Sequence, residues 1–334
     1  MPSELKTTTS VWDIADTEDF ANETPRFGSR TLQATDDVFT QNAWDHAEWT
    51  EEQEAQAREA VLRQLEHPVP AEDQGRYHAE AAENWNRFYA KNENRFFKDR
   101  HWLRIEFPEL FKIDHAVGHG DSDGDGAQAL PAQVMREPGR RFNVMEIGCG
   151  AGNAFFPLLA ENQADPDYYA YACDFSETAV RVVRENALYD PARSEAFVWD
   201  LTSPELPPSV APGSVDVILL VFVLSAIHPD HWQQAMDNLY KLLRPGGIVL
   251  FRDYGRYDLA QLRFKRNRLL SDNFYVRGDG TRVYFFTNEQ LAELFGQRFE
   301  VLQNAVDRRL IVNRHKKLQM FRVWLQGKFR KPLT

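Results

Sequence analysis

Cysteine is nearly absent: Cys149 and Cys173 are the only two in 334 residues, both in apolar strand or turn settings. Two such thiols build neither a disulfide framework nor a cysteine zinc site, and the usage fits a reducing compartment. Long apolar runs are also missing. No stretch approaches the roughly 18 apolar residues of a membrane span, so no membrane partner is expected. The opening MPSELKTTTSVWDIADTEDF has no apolar signal core and is acidic rather than arginine-rich. Neither a secretory nor a mitochondrial signal is expected, and a cytoplasmic location is. Positive charge is short by 11, which taken alone argues against a nucleic-acid partner. Its distribution points the other way. Residues 241 to 334 hold 20 Lys and Arg against 8 Asp and Glu, whereas the first 240 hold 19 against 42. A basic C-terminal third can face a polyanion, or its charges can simply decorate solvated faces.

With 43% hydrophobic and 13% aromatic residues the chain can bury one large core with additions. Residues 142 to 153, FNVMEIGCGAGN, read as a strand running into a glycine turn and a helix. Gly148, Gly150 and Gly152 remove the Cβ atoms that would keep backbone N–H groups away from a ligand. A dinucleotide site needs a third glycine where Asn153 stands, and Asn153 is expected to join the cofactor contacts of the turn. The pattern is instead E-x-G-x-G-x-G with Glu146 before the first glycine, which resembles motif I of class I S-adenosylmethionine-dependent methyltransferases. A carboxylate there suits a cofactor with an ammonium group and no pyrophosphate. The alternative is a tight strand-to-helix connection.

Residues 1 to 75 are acidic, with little periodicity apart from EEQEAQAREAVLRQLEH, and are expected to be largely flexible. Residues 76 to 113 form an aromatic, basic, helix-compatible segment in which Trp85, Phe88 and Tyr89 share a face. Residues 114 to 140 read as a linker. Asp121, Asp123, Asp125 and Gly126 imitate a calcium loop, but the required glutamate position falls on Ala132, so no metal is expected. From 141 to 330 strands and helices alternate as in a doubly wound α/β fold. Strands are predicted at 142 to 148, 168 to 174, 196 to 201, 215 to 224 and 247 to 254, with helices at 153 to 162, 176 to 187 and 231 to 243. An insertion at 255 to 286 contains a predicted hairpin, and strands near 299 to 313 and 319 to 328 close a seven-stranded Rossmann-like sheet.

Ligands of such sheets sit at the carboxyl ends of the strands. Asp174, followed by Phe175, ends the second strand, where its carboxylate can accept ribose hydroxyls. Asp200 and Leu201 end the third, suited to the adenine amino group and ring. Singly, each acid could be a cap or turn residue. The fourth strand ends in VFVLSAIHPDHW, a string that opens with Val221. No Asp/Asn-Pro-Pro-Tyr/Phe motif follows, which disfavours adenine amino methylation. Cys149 and Cys173 belong to the cofactor strands, leaving no thiolate nucleophile for C5 methylation of a pyrimidine.

NRFFKDRHWLRIEFPEL, VMEIGCGAGN, YACDFS, FVLSAIHPDHW, LFRDYGRYD, NFYVRGDGTRVYFFT and RVWLQGKFRKP together resemble the tRNA 3-methylcytidine methyltransferase family, over about residues 76 to 330. The FPEL and RVWLQGKF strings resemble most its members acting on threonine tRNA. The resemblance implies methyl transfer from S-adenosylmethionine, leaving S-adenosylhomocysteine, to N3 of cytidine 32 in the anticodon loop. It also implies that Trp85 and Tyr89 close over the cofactor beside Gly148, Asp174, Asp200, Leu201 and Val221. An aminoacyl-tRNA synthetase or another tRNA-modification factor is an open partner.

Cytidine N3 carries a free lone pair, so this chemistry is mostly positioning. An acceptor beside the exocyclic amine would ease the developing positive charge, with Asp253, Ser225 and the His228 region as candidates. The base must be splayed out of its loop, and Phe97 and Arg100 suit holding it, Arg100 also at the reacting centre. Arg252, Tyr254 and the basic cluster Arg263, Lys265, Arg266 and Arg268 complete the expected substrate contacts. A methyltransferase acting on a protein or small molecule would use the same cofactor site without the basic third, and a non-catalytic partner subunit would not need the intact acids and glycines.

Overall fold

The computed structural model describes residues 28, 30–111, 136–137 and 139–334; the calcium-loop lookalike and most of the expected linker lie outside the described residues. In chain order the elements are β1 (Ala43–Asp45), α1 (Glu51–Leu65), α2 (Ala71–Ala79), α3 (Ala81–Asn92) and α4 (Leu103–Glu106). The α/β part follows with β2 (Phe142–Ile147), α5 (Phe155–Glu161), β3 (Tyr168–Asp174), α6 (Glu177–Arg184), β4 (Ser194–Val198), β5 (Val215–Val221), α7 (Trp232–Leu242) and β6 (Leu243–Tyr254). The insertion holds α8 (Leu259–Leu262), β7 (Leu269–Ser271), β8 (Phe274–Val276) and β9 (Arg282–Tyr284), before α9 (Asn288–Gly296), β10 (Glu300–Asn313) and β11 (Leu318–Arg330).

The main sheet has the order β1-β10-β11-β6-β5-β2-β3-β4. Strands β6, β5, β2, β3 and β4 are parallel, while β11 and β10 add antiparallel hairpin strands. The chain leaves β2 toward β3 and β4 and then returns to the other side of β2 through β5, so the switch point lies between β2 and β5. That crevice, at the carboxyl ends of the two strands, is where a doubly wound sheet receives its ligand. All seven residues of β5, VDVILLV, are buried, as a central parallel strand covered on both faces requires. Helix α6 turns Ala179, Val180 and Val183 inward, capped by Ser176, whose hydroxyl accepts from the Ala179 N–H. Helix α7 buries Ala235, Met236, Leu239 and Leu242 in the same way.

Three expectations need correction. The sheet has eight strands rather than seven, because β1 pairs antiparallel with β10 through Ala43 to Asp45. The early region is therefore docked where it is described: Trp44, Ala57 and Val61 pack with Tyr257, Leu310 and Phe321. Helix α1 carries a complete capping box, Thr50 with Gln53. Only a few apolar anchors do this, too sparse to show as periodicity. Lastly, the insertion is more than a hairpin. Strands β8 and β9 pair Phe274 with Tyr284 and Val276 with Arg282, and β7 joins them in a second, three-stranded sheet.

Candidate active site

The strand β2 ends at Ile147 and the chain turns through Gly148, Gly150 and Gly152, with φ of +68°, +53° and +85°. A Cβ on Gly148 would come within 2.5 Å of the Val223 side chain, and one on Gly150 within 2.5 Å of the Tyr89 hydroxyl. Glycine is therefore required by both backbone conformation and space. The Asp174 carboxylate accepts from Gly150 N–H at 3.0 Å and from Ser176 N–H at 2.9 Å. It thus braces the turn as well as facing the cavity. Burial raises its pKa to about 6, with those backbone donors opposing. Glu146, on β2, is buried and lines neither cavity of the site, its pKa raised to about 8 by burial against the pull of Arg100. Its Oε2 has no hydrogen-bond partner within the protein.

Around this turn opens a cavity of about 510 Å³ lined by Trp85, Tyr89, Gly148, Asp174, Phe175, Asp200 and Leu201, with His78, His228 and Arg282 at its side. Asp200 Oδ1 accepts from the Thr202 N–H and hydroxyl, both at 2.8 Å, which orients this carboxylate at the rim of the cavity. These residues fit a nucleoside cofactor: a glycine cradle and two strand-end acids, with the orphaned carboxylate oxygen of Glu146 buried behind the wall.

A second cavity, of about 660 Å³, shares Trp85, Tyr89, Gly148, Phe222, Ala226 and Arg282 with the first. Its remaining wall includes Phe97, Arg100, Trp102, Gly150, Asn153, Val221, Ser225, Tyr254, Arg277, Arg322 and Trp324. Phe222, on the shared wall, has φ of +62°, a costly setting for a bulky residue, held by its N–H donating to the Arg252 carbonyl at 2.8 Å. This turn ends β5 at Val221, three residues earlier than its apolar run suggests. The Arg100 guanidinium lies 5.3 Å from the Phe222 ring centre. Burial lowers its pKa, with Glu146 opposing.

Several expected site residues are placed differently. Asn153 faces the preceding segment: its Nδ2 donates to the Phe97 carbonyl at 3.2 Å and to Asp99 Oδ1 at 3.1 Å, and its own carbonyl accepts from Arg100 N–H at 2.8 Å. Asp253 is fully buried and lines neither cavity. Its carboxylate accepts from Ser225 N–H and Tyr254 N–H, both at 2.9 Å, and burial raises its pKa to about 6. It therefore fixes Ser225 and Tyr254 on the wall rather than reaching the cavity. His228 sits on the first cavity, its ring 4.4 Å from that of His78 and its Nδ1 accepting from Asp230 N–H at 3.2 Å. Arg252 is buried in an ion pair with Asp307, donates to Gln326 at 2.6 Å and stacks between Trp102 and Trp324. It is a framework residue.

Arg263, Lys265 and Arg266 are exposed and lie off both cavities; Lys265 and Arg266 instead border a groove with Arg63, Glu66 and His67. Arg268 is half-buried and donates to the Arg277 carbonyl at 3.3 Å. Sequence reasoning did not single out His78, Arg277, Arg282, Arg322 and Trp324. The paired arginines of the turn sequence RGDGTR were the available signal. Burial raises the pKa of both Cys149 and Cys173, which keeps these thiols protonated and unsuited to nucleophilic attack.

Sheet order, glycine turn and strand-end acids define an S-adenosylmethionine-dependent methyltransferase, and residues 145–249 match the family described as "Methyltransferase domain". A SAM-dependent methyltransferase from Anabaena variabilis shares the fold, with a TM-score of 0.50 and 15% identity over 75% of this chain and 94% of that one. The chain belongs to the tRNA N(3)-cytidine methyltransferase family. It is 46% identical over 329 residues to the tRNA N(3)-methylcytidine methyltransferase trm140 of Schizosaccharomyces pombe, covering 98% of each chain. It is 49% identical to the tRNA N(3)-cytidine methyltransferase METTL2 of Danio rerio, over 94% of this chain and 91% of that protein. The tRNA(Thr) (cytosine(32)-N(3))-methyltransferase of Saccharomyces cerevisiae is 46% identical, over 92% of this chain but 46% of the longer relative. Coverage of 98% extends the likeness well before residue 76, where the resemblance was expected to begin.

Proposed function

We propose that the chain methylates N3 of cytidine 32 in the anticodon loop of threonine tRNA, in the cytoplasm. The observation that carries this reading is the second cavity, which shares a wall with the cofactor cavity, is lined by Phe97, Arg100 and Tyr254 and has, at about 660 Å³, the volume for an extruded base. When bound, S-adenosylmethionine supplies an electrophilic methyl group. Asp174 and Asp200 take the nucleoside, Glu146 lends negative charge from behind the cavity wall, and Trp85 and Tyr89 cover it. Phe97 and Arg100 hold the pyrimidine. Ser225, fixed by Asp253, offers an acceptor for the exocyclic amine as positive charge grows on the ring. No group needs to deprotonate N3, so His228 is not needed as a base.

Arg263, Lys265, Arg266 and Arg268 are proposed to contact the tRNA backbone beyond the pocket. The test is mass-spectrometric nucleoside analysis of tRNA incubated with protein and cofactor, followed by fragment mapping. 3-Methylcytidine at position 32 of threonine tRNA is the expected product. Methylation confined to another nucleotide would overturn the assignment. Repeating the assay with a synthetase or another tRNA-modification factor would show whether a partner is required.

A further inference from the structure

The second cavity gathers more positive charge than the protein neutralises. Arg322 is held by Asp258 at 2.7 Å, and Arg100 lies near Glu146. Arg277 and Arg282, at the two ends of the turn joining β8 to β9, meet no carboxylate at salt-bridge distance among the described residues. Arg277 donates to the Arg282 carbonyl at 3.2 Å. Arg282 donates to the Ala226 carbonyl at 3.1 Å and lies 3.3 Å from His78 Nδ1, both neutral neighbours in that setting. The turn's own acid, Asp279, is engaged within it, accepting from the Thr281 N–H at 2.9 Å and hydroxyl at 2.7 Å. The turn is rigid, because Arg277 N–H donates to the Thr281 carbonyl and Asn84 of α3 donates to the Gly280 carbonyl.

Arg282 is only 8% exposed, yet it borders both cavities. A buried guanidinium with no carboxylate in direct contact is costly, and burial lowers its pKa to about 10, with the more distant Asp200 opposing. Its position adds a second cost. Methyl transfer moves the sulfonium's positive charge onto the base, so a bare cation on the shared wall repels the bound cofactor before the step and the 3-methylcytosine after it. An anion brought by the substrate removes both costs. An RNA nucleotide carries one, its phosphate.

We propose that Arg282, with Arg277 beside it, grips a phosphate flanking the extruded cytidine, so that the RNA brings the counter-ion this wall lacks. The inference rests on the cytidine-N3 reading and adds a binding site to it. It also gives the RGDGTR turn a selective task. A free base or nucleoside would enter the pocket without neutralising it.

The test uses the full chain and an anticodon stem-loop RNA in which the phosphate on one or the other side of the target cytidine is replaced by a neutral methylphosphonate. Affinity is measured with S-adenosylhomocysteine present, for wild type, Arg282→Gln and Arg282→Lys. One of the two replacements should weaken binding to wild type by about tenfold or more, as expected when a buried charge-assisted hydrogen bond is removed. The same replacement should cost Arg282→Gln less than about twofold, while Arg282→Lys keeps the sensitivity. Equal losses in wild type and Arg282→Gln would overturn the proposal. So would a fall in S-adenosylhomocysteine affinity in Arg282→Gln with phosphate sensitivity intact, which would assign the guanidinium to the cofactor carboxylate. Arg277→Gln, taken through the same comparison, decides the matter if Arg282→Gln melts early. Failure to form 3-methylcytidine on the unmodified RNA would instead count against the underlying function, and the binding comparison would still stand.

Discussion

Asp174 has two tasks, since the carboxylate that faces the cavity also accepts from Gly150 and Ser176. Asp174→Ala should therefore abolish measurable S-adenosylhomocysteine binding by calorimetry and lower the melting temperature as well. Unchanged affinity in the folded variant would remove Asp174 from the cofactor site. Glu146, Asp174 and Asp253 share a further property: each is buried with its pKa raised, to about 8, 6 and 6. The folded state then holds more protons than the unfolded chain between the ordinary carboxylate range and these values. Stability from these groups is present at low pH and declines as pH rises through about 4 to 8. The Glu146→Gln variant cannot ionise there. Its melting temperature should fall less than that of wild type between about pH 6 and pH 8, and parallel curves would show that Glu146 does not titrate in that window. Ionised Glu146 also suits a cationic cofactor, so affinity for S-adenosylmethionine should rise over the same range.

The segment from Phe97 to Trp102 has almost no regular structure of its own, and Asn153 fixes it to the glycine turn through both its side chain and its carbonyl. The cofactor loop and the wall that holds the base are thus one hydrogen-bonded unit. Asn153→Ala should lower turnover on tRNA by about tenfold or more through misplacement of Phe97 and Arg100, with S-adenosylhomocysteine affinity changed much less. Equal losses in both would mean that Asn153 serves the cofactor directly. Spacing could not distinguish these roles, because Asn153 occupies the third-glycine position and its partners come from a segment far earlier in the chain. The parallel strands were legible for the opposite reason: buried on both faces, they read as continuous apolar runs. Arg252 was misread because alternation along β6 does not reveal that Asp307, on the later strand β10, waits to neutralise it.

At the scale of the whole molecule, the basic C-terminal third is less free than its composition suggests. Arg309 is bound by Asp307, Glu106 and Asp45, Arg322 by Asp258, Lys328 by Glu109 and Arg330 by Glu300. Counting charges along a sequence cannot show which of them the fold consumes. Lys265 and Arg266, exposed beside α1, are among those left available. Replacing both with alanine should lower the magnitude of the log K against log salt slope for tRNA by about 0.7 to 0.9 for each phosphate that is no longer neutralised. Filter binding at several salt concentrations measures this, and an unchanged slope would leave the stretch a solvated face.

The pairing of β1 with β10 matters beyond the site. Strand β10 would otherwise lie at the margin of the sheet, and Trp44 joins Leu310 and Phe321 in one buried cluster there. Unpaired margins recruit strands from other molecules. A chain begun at residue 76 would retain every cavity residue discussed above except those of the α1 groove, yet open this margin to its own copies. Light scattering should find it aggregating at concentrations where the full chain stays dispersed, which would make the early region the enzyme's built-in guard against self-adhesion, and equal dispersal of the two would deny it that task.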